Sequence, residues 1–368
     1  MLDYLWIAMR ILFLVPYPHD KAPSQRFRFE QYLSHLHSRG WTYRISPFLD
    51  AAAWDVLYKN GYFIRKSLGL LRGYLRRIFD LLTIQRFDVV FIHREASPFG
   101  PPWIEFLVAK VFGKPVVFDF DDAIWIPNAS ESNRRLTHRF KDFSNAAKII
   151  RWSTVVSCGN SFLADYARKF NPVVVLNPTT IDTDHWHNLT ASHDSRRFII
   201  GWTGSHSTIS MLEMLLPVFR ELESKHDFEL HVICDVPPGF RLDSLVFVPW
   251  SKEAEVRELA MFNVGIMPLE DTDWARGKCG FKALQYLSVG VPAVVSSVGV
   301  NRDIVEDGVN GFLCSSLDEW KLRLEELMAD RELLLRMSRA ARSKVLDRYS
   351  VRANTANFVG MLEKAANR

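Results

Sequence analysis

The chain has 368 residues, 48% hydrophobic and 24% charged, which is enough for two cores and excludes a disordered, collagen-like or disulfide-stapled chain. Its net charge of +4 hides an asymmetry: residues 1–180 hold 24 Lys and Arg against 15 Asp and Glu, and residues 181–368 hold 22 against 27. A basic front half joined to an acidic back half points to two lobes with different partners.

The apolar start, Leu2 to Val15, is broken by Asp3 and Arg10 and has no small-residue cleavage site, so it does not read as a secretory signal. Short runs rich in Val, Ile and Phe then recur at Arg10–Pro16, Trp41–Ile45, Asp88–His93, Pro115–Asp119, Thr154–Ser157 and Val173–Leu176. Helical patterns such as Phe29–Arg39 and Pro102–Phe112 lie between several of them. Near-continuous apolar strands alternating with helices predict a parallel sheet covered on both faces.

Residues 58–86 give the clearest helix of this half. Ile64, Leu68, Leu71, Leu75, Ile78 and Leu82 recur at helical spacing, while Arg65, Lys66, Arg72, Arg76 and Arg77 take the other side with only Asp80 opposing them. Two uses fit the pattern. Residues 62–82 can make a peripheral contact with anionic lipid, or they can pack on the core with a basic wet face. Gly69 and Gly73 weaken a free-standing helix, which favours core packing.

Asn177 to Arg197 breaks the rhythm with Pro, Asp, Thr and His, and marks a linker. A second series follows at Phe198–Trp202, Glu229–Cys234, Val246–Val248, Val264–Met267 and Ala293–Ser296. The tail from Leu317 is predicted helical, with a break near Tyr349–Ser350. The expected organisation is an α/β chain of two doubly wound lobes facing across a cleft: residues 1–178, a linker at 179–197, residues 198–345, and a terminal helix at 346–368 that can cross back to the first lobe. The longest uncharged run, Ala283 to Asn301, contains Gly290 and Pro292 and reads as helix–turn–strand rather than a bilayer helix. Cys158, Cys234, Cys279 and Cys314 are too far apart for a zinc pair and read as reduced thiols in a cytoplasmic chain.

The most informative segment is Gly265–Leu313. A strand ends near Pro268, a loop with Asp271, Asp273, Arg276 and Lys278 follows, and a helix opens near Gly280 and stops at Gly290. Lys282 and Gln285 share one face of its first two turns. A helix N-terminus beside Arg276, Lys278 and Lys282 suits a diphosphate, and Gln285 is placed to bond a ribose hydroxyl. A solvated basic loop ahead of an ordinary core helix has the same spacing. Upstream, the strand FIIGW runs into Thr203-Gly204-Ser205 and a helical pattern near Ser207–Ile209, a phosphate-type turn without a cation of its own.

These residues carry a resemblance. The segment Lys282-Ala283-Leu284-Gln285-Tyr286, then Gly290-Val291-Pro292 and Glu306-Asp307-Gly308-Val309-Asn310-Gly311-Phe312-Leu313, resembles the C-terminal lobe of the family 4 (group 1) glycosyltransferases. Arg10–Pro18, Val116–Asp122 and Leu176–Asp184 are similar to further parts of that family. The resemblance implies the GT-B fold of two Rossmann-like lobes and transfer of a sugar from a nucleotide-diphosphate sugar to an acceptor hydroxyl, with retention of configuration and without a bound metal or other cofactor. It implies a donor site of Gly204, Ser205, Arg276, Lys278, Lys282 and Gln285, and a glycan or lipid-linked acceptor on the first lobe. Two departures stand out: the family's ribose-binding glutamate is Gln285, and its earlier glutamate falls on Gly277, leaving Asp271 or Asp273 as substitutes.

In the first lobe, His93 ends DVVFIH, and Asp119, Asp121 and Asp122 cluster at the end of PVVFDFDD, all expected to face the cleft. Strand alternation puts Asp121 opposite Asp122. By position Asp121 matches the strand-end His of the family, so Lys282, Asp121 and His93 are the expected catalytic set. Arg26 and Arg28 in the loop after the first strand are candidate acceptor or anion contacts. Asp182, Asp184, His185 and His187 form a metal-like cluster that linker composition explains better. The charge pattern lacks the interleaved aromatics of a nucleic-acid binder. The expected location is cytoplasmic, with a peripheral position on the inner membrane face if residues 62–82 meet lipid. The rival reading is a catalytically inactive GT-B-like protein that binds a nucleotide sugar, a polyanion or a membrane.

Overall fold

The structure is a computed structural model that describes residues 8–57, 59, 61–127 and 142–367; the start of the apolar stretch at Leu2–Ile7 lies outside them. The chain divides into two compact units, Met1–Thr179 with Asn354–Arg368, and Thr180–Ala353.

The first unit is built on six parallel strands: β1 (Arg10–Val15), β2 (Thr42–Pro47), β3 (Val89–His93), β4 (Val116–Phe120), β5 (Val155–Cys158) and β6 (Val174–Leu176), in the order β2-β1-β3-β4-β5-β6. Every residue of β3, β4 and β5 is buried, which is why these strands read as unbroken apolar runs rather than alternating ones. The order reverses direction between β1 and β3, so the carboxyl ends of those two strands open the crevice characteristic of such sheets. Phe13, Phe29 and Phe91 form an aromatic layer with ring centres 5.0–5.5 Å apart. The last helix, Val351–Ala366, stacks Phe358 on Tyr32 at 4.4 Å.

The second unit repeats the plan with β7 (Phe198–Thr203), β8 (Phe228–Cys234), β9 (Leu245–Pro249), β10 (Val264–Met267), β11 (Ala293–Ser296) and β12 (Gly311–Cys314), ordered β12-β11-β10-β7-β8-β9. Its reversal lies between β7 and β10. Sequence patterning had no separate signal for β12, a four-residue strand entered through the Glu306–Asn310 turn. The segment after Thr179 does not stand apart: Ile181 bridges Ser350, and His193 Nε2 lies 3.1 Å from both Gly290 O and Ser338 Oγ.

The helix Phe63–Thr83 corrects the core-packing expectation. Its buried residues are Gly69, Gly73, Arg77, Asp80 and Leu81, on the side opposite the Ile64–Leu82 apolar row. Arg77 is fully buried and donates to Ala96 O at 2.7 Å, Ser46 O at 3.0 Å and Val15 O at 2.9 Å, with Asp80 at 3.1 Å. One guanidinium therefore ties the helix to the ends of β1 and β2, and the two glycines supply the close approach.

A Cβ added at Gly73 would lie 2.7 Å from the Phe48 ring and 2.8 Å from Phe48 O. Gly73→Ala is expected to lower stability by about 1–3 kcal/mol in urea unfolding. Gly360→Ala, in a helix and with open space around its Cβ, is expected to raise it by about 0.5–1 kcal/mol.

Glu105 is buried beside Arg77 and Ala96; its Oε1 accepts the Ala96 N–H at 2.8 Å and its Oε2 has no partner. Burial pushes its carboxyl up from 4.5 to about 7. The folded state therefore holds a proton that the unfolded chain releases, so this contribution to stability is complete below pH 4.5 and is lost as pH rises through about 7. Glu105→Gln, which mimics the protonated form, should match wild type near pH 4.5 and exceed it by about 3 kcal/mol near pH 8.

Candidate functional site

In the second unit the site is built where the sheet order reverses. β7 ends at Thr203, whose N–H donates to the Tyr286 hydroxyl at 3.0 Å, and that hydroxyl lies 3.2 Å from Ile266 O on β10. Burial pushes the Tyr286 phenol up, so it stays protonated and can donate while it accepts. A Cβ at Gly265 would lie 2.2 Å from the Tyr286 ring, so the ring packs directly on β10 only because that residue is glycine. This pins the helix Phe281–Ser288 across the ends of both strands, and Lys282, one turn earlier, is set at the strand end. Its Nζ lies 5.6 Å from the centre of the Trp202 ring.

Gly204 follows directly. A Cβ there would fall 2.2 Å from Trp202 Cη2, so the indole beneath Lys282 requires a bare backbone at this turn. The two backbone amides that a phosphate-type turn would offer are already engaged. Gly204 N–H donates to Ile233 O at 3.0 Å and Ser205 N–H to Thr208 Oγ1 at 3.2 Å. What the loop offers instead is hydroxyls: Ser205 Oγ and Ser207 Oγ stand 2.8 Å apart in the turn. His206 is held by Asp235, through its N–H at 2.7 Å and its Nδ1 at 2.6 Å.

Gln285 is buried one turn beyond Lys282 with no partner on its Nε2, an unused donor inside the protein. The other two cations are engaged elsewhere. Arg276 bonds Asp271 at 2.8 Å and Asp273 at 3.2 Å, and Lys278 Nζ lies 3.9 Å from the centre of the Trp274 ring. Asp271 and Asp273, the substitutes for the missing glutamate, are thus both balanced by Arg276. A cavity of about 490 Å³ lies at the ends of β10, β11 and β12, bordered by Leu269, Asp271, Ser296, Val298, Arg302 and Ser315.

In the first unit the predicted residues separate into two clusters. Arg28, His93 and Asp119 are buried together: the Arg28 guanidinium pairs with Asp119 and also donates to Asn177 O, and His93 Nδ1 lies 2.8 Å from Asp119. Burial acts upward on the Asp119 carboxyl, but the Arg28 guanidinium and the hydrogen bond with His93 outweigh it and hold the carboxyl well below its usual range. Arg28 is therefore a structural ion pair and not a surface anion contact, and His93 does not face solvent. Its Nε2 has no partner. Arg26 is buried too, 3.6 Å from Asp20 and over the Phe27 ring.

Asp121 and Asp122 meet on one guanidinium: Arg94 Nε donates to Asp121 at 2.8 Å and Nη2 to Asp122 at 2.6 Å. Alternation fails here because β4 stops at Phe120, and the chain turns so that both carboxylates reach the same arginine. Arg94 sits at φ 61°, which turns it back at the end of β3, and its N–H donates to Asp119 O at 2.7 Å. Sequence reading gave Arg94, Trp202 and Tyr286 no role; a positively charged residue directly after a strand-end His was the one available signal. Asp182 accepts N–H groups from Asp184 and His185, a turn rather than a ligand set, and among the described residues no group of three or more His, Cys, Asp or Glu side chains is arranged to hold a metal ion.

Residues 197–330 match the family model of the glycosyl transferases group 1. No curated protein matches the sequence. Among solved structures, the sucrose-phosphate synthase of Thermosynechococcus elongatus is 13% identical with a TM-score of 0.71, over 97% of this chain and 98% of that one. A glycosyltransferase from Rickettsia africae is 12% identical with a TM-score of 0.69, over 97% and 98%. The Anabaena protein HepE in complex with UDP and glucose is 12% identical with a TM-score of 0.67, over 96% and 99%. At such identities the likeness is one of fold, and that fold is GT-B.

Tyr286→Phe strips the hydroxyl that serves Thr203 and Ile266, leaving a buried N–H unmatched. It is expected to cost about 1–3 kcal/mol in urea unfolding.

Proposed function

We propose that this chain, a GT-B protein whose second unit carries a glycosyl transferases group 1 domain, moves a sugar from a nucleotide-diphosphate sugar to an acceptor hydroxyl with retention of configuration. The observation that carries the reading is the ammonium of Lys282 held over Trp202, next to the bare backbone of Gly204, where the sheet order reverses. A diphosphate lying there meets a cation, the hydroxyls of Ser205 and Ser207, and a backbone with no Cβ to keep it away. The idle Nε2 of Gln285 is a donor for the ribose or the sugar, in place of the carboxylate that the family pattern carries. HepE bound UDP and glucose, and starch synthase IV of Arabidopsis thaliana bound ADP and acarbose, which agrees with this class of ligand.

In the reaction the bond between the anomeric carbon and the diphosphate oxygen breaks and a bond from that carbon to the acceptor oxygen forms. The acceptor proton passes to the departing phosphate oxygen on the same face, which gives retention and a nucleoside diphosphate. Lys282 is stronger against the developing charge than against the intact donor, the condition for lowering the barrier. The proposal assigns charge neutralisation to protein groups, with no metal or other cofactor. The acceptor, a glycan or a lipid-linked glycan, is assigned to the first unit, where Arg94 holds Asp121 ready to receive a hydroxyl hydrogen bond. His93 is then a positioning group beneath that strand end.

The rival, an inactive binder, is favoured by Gln285 and is separated by one assay. Purified protein should slowly hydrolyse UDP- or GDP-sugars, and Lys282→Ala should reduce turnover by about 10²–10³. Binding of donors without any turnover would support the rival, and a variant within about threefold of wild type would remove Lys282 from the mechanism.

A further inference from the structure

The helix Phe63–Thr83 is turned inside out for a core helix. Its protein-facing side is glycine, arginine and aspartate, while Ile64, Leu68, Leu71, Leu75, Ile78 and Leu82 are 44–79% exposed. At about 100° per residue these six fall within one narrow row along roughly 30 Å of helix. Phe63 and Phe79 add exposed rings beside the row. Such a surface is costly in water unless something covers it.

We infer that this helix seats the first unit on an anionic lipid bilayer, lying in the plane of the interface with its leucine row among the acyl chains. The charges select the partner. Arg65, Arg72 and Arg76 line one flank of the row, Arg72 3.5 Å from Asp50 and Arg76 donating to Pro47 O and Phe48 O, and the sole acidic residue of the helix, Asp80, is buried against Arg44, Ser46 and Arg77. A second copy of the same helix would bring like charge against like charge, with no exposed carboxylate on the helix to answer it and a single Asp50 beside Arg72. A negatively charged headgroup layer answers the arginines and the interior beneath it accepts the leucines. None of the helices among the described residues is long and apolar enough to cross a membrane, so this contact lies on the bilayer. The inference is independent of the donor site, which belongs to the other unit.

The test is co-sedimentation of the full chain with vesicles of phosphatidylcholine containing about 30 mol % phosphatidylglycerol, against phosphatidylcholine alone. Binding to the anionic vesicles and weakening in high salt are expected. Leu71→Ser with Leu75→Ser, both at exposed sites, should leave the melting temperature unchanged and reduce vesicle affinity by at least about tenfold. Arg65→Gln with Arg72→Gln should weaken anionic-vesicle binding by about thirtyfold, roughly fivefold per cation. Failure to bind either vesicle, or binding that the leucine variant leaves intact, would overturn the inference. So would a wild-type dimer in sedimentation that the leucine variant dissolves, which would give the face to a second copy.

Discussion

One phenol oxygen links the elements from which the second unit's site is made. The Tyr286 hydroxyl joins the Thr203 N–H at the end of β7 to the Ile266 carbonyl on β10, the two strands between which the sheet changes direction. Its ring reaches that position because Gly265 leaves no side chain in the way. Everything offered to a ligand in this unit is set from there. Lys282 is one turn before Tyr286 and rests over Trp202, and Gln285 is its neighbour on the helix. The helix is short, yet one buried hydrogen-bonded contact aligns it with the strands, since a lost partner there would leave a polar group stranded.

The first unit solves a similar problem with charge. Arg28 and Asp119, and Arg77 and Asp80, are ion pairs carried into the interior, where isolated charges could not survive. Each guanidinium also bonds backbone carbonyls, Asn177 for Arg28 and Ala96, Ser46 and Val15 for Arg77. These arginines act as cross-braces between loops and strands. The consequence for function is subtractive: residues whose types suggest anion binding are already occupied, and the chemistry left at the strand ends is that of Arg94 with Asp121 and Asp122.

The same bracing explains the long helix. Since Arg77, Gly69 and Gly73 make its inward contacts, the leucine row has nowhere to go but outward. An amphipathic period states that two faces exist and not which of them the protein takes. Here the inward face is recognised by close approach of backbone and by a satisfied guanidinium, neither of which registers as hydrophobicity.

The amino-acid order alone determined the α/β class, eleven of the twelve strands to within a residue or two, the interruption of the terminal helices near Ser350, and the segment on which Lys282 and Gln285 stand together. These are local matters: buried parallel strands are apolar runs, and helix ends carry Gly, Pro and capping residues. Tertiary structure decided what those side chains touch. Whether Gly204 N–H is free depends on Ile233, 29 residues away; whether Arg28 is available depends on Asp119; and whether Asp121 and Asp122 diverge depends on where β4 lets go. Such partners are brought together by the fold, across sequence distances over which composition and periodicity carry no information.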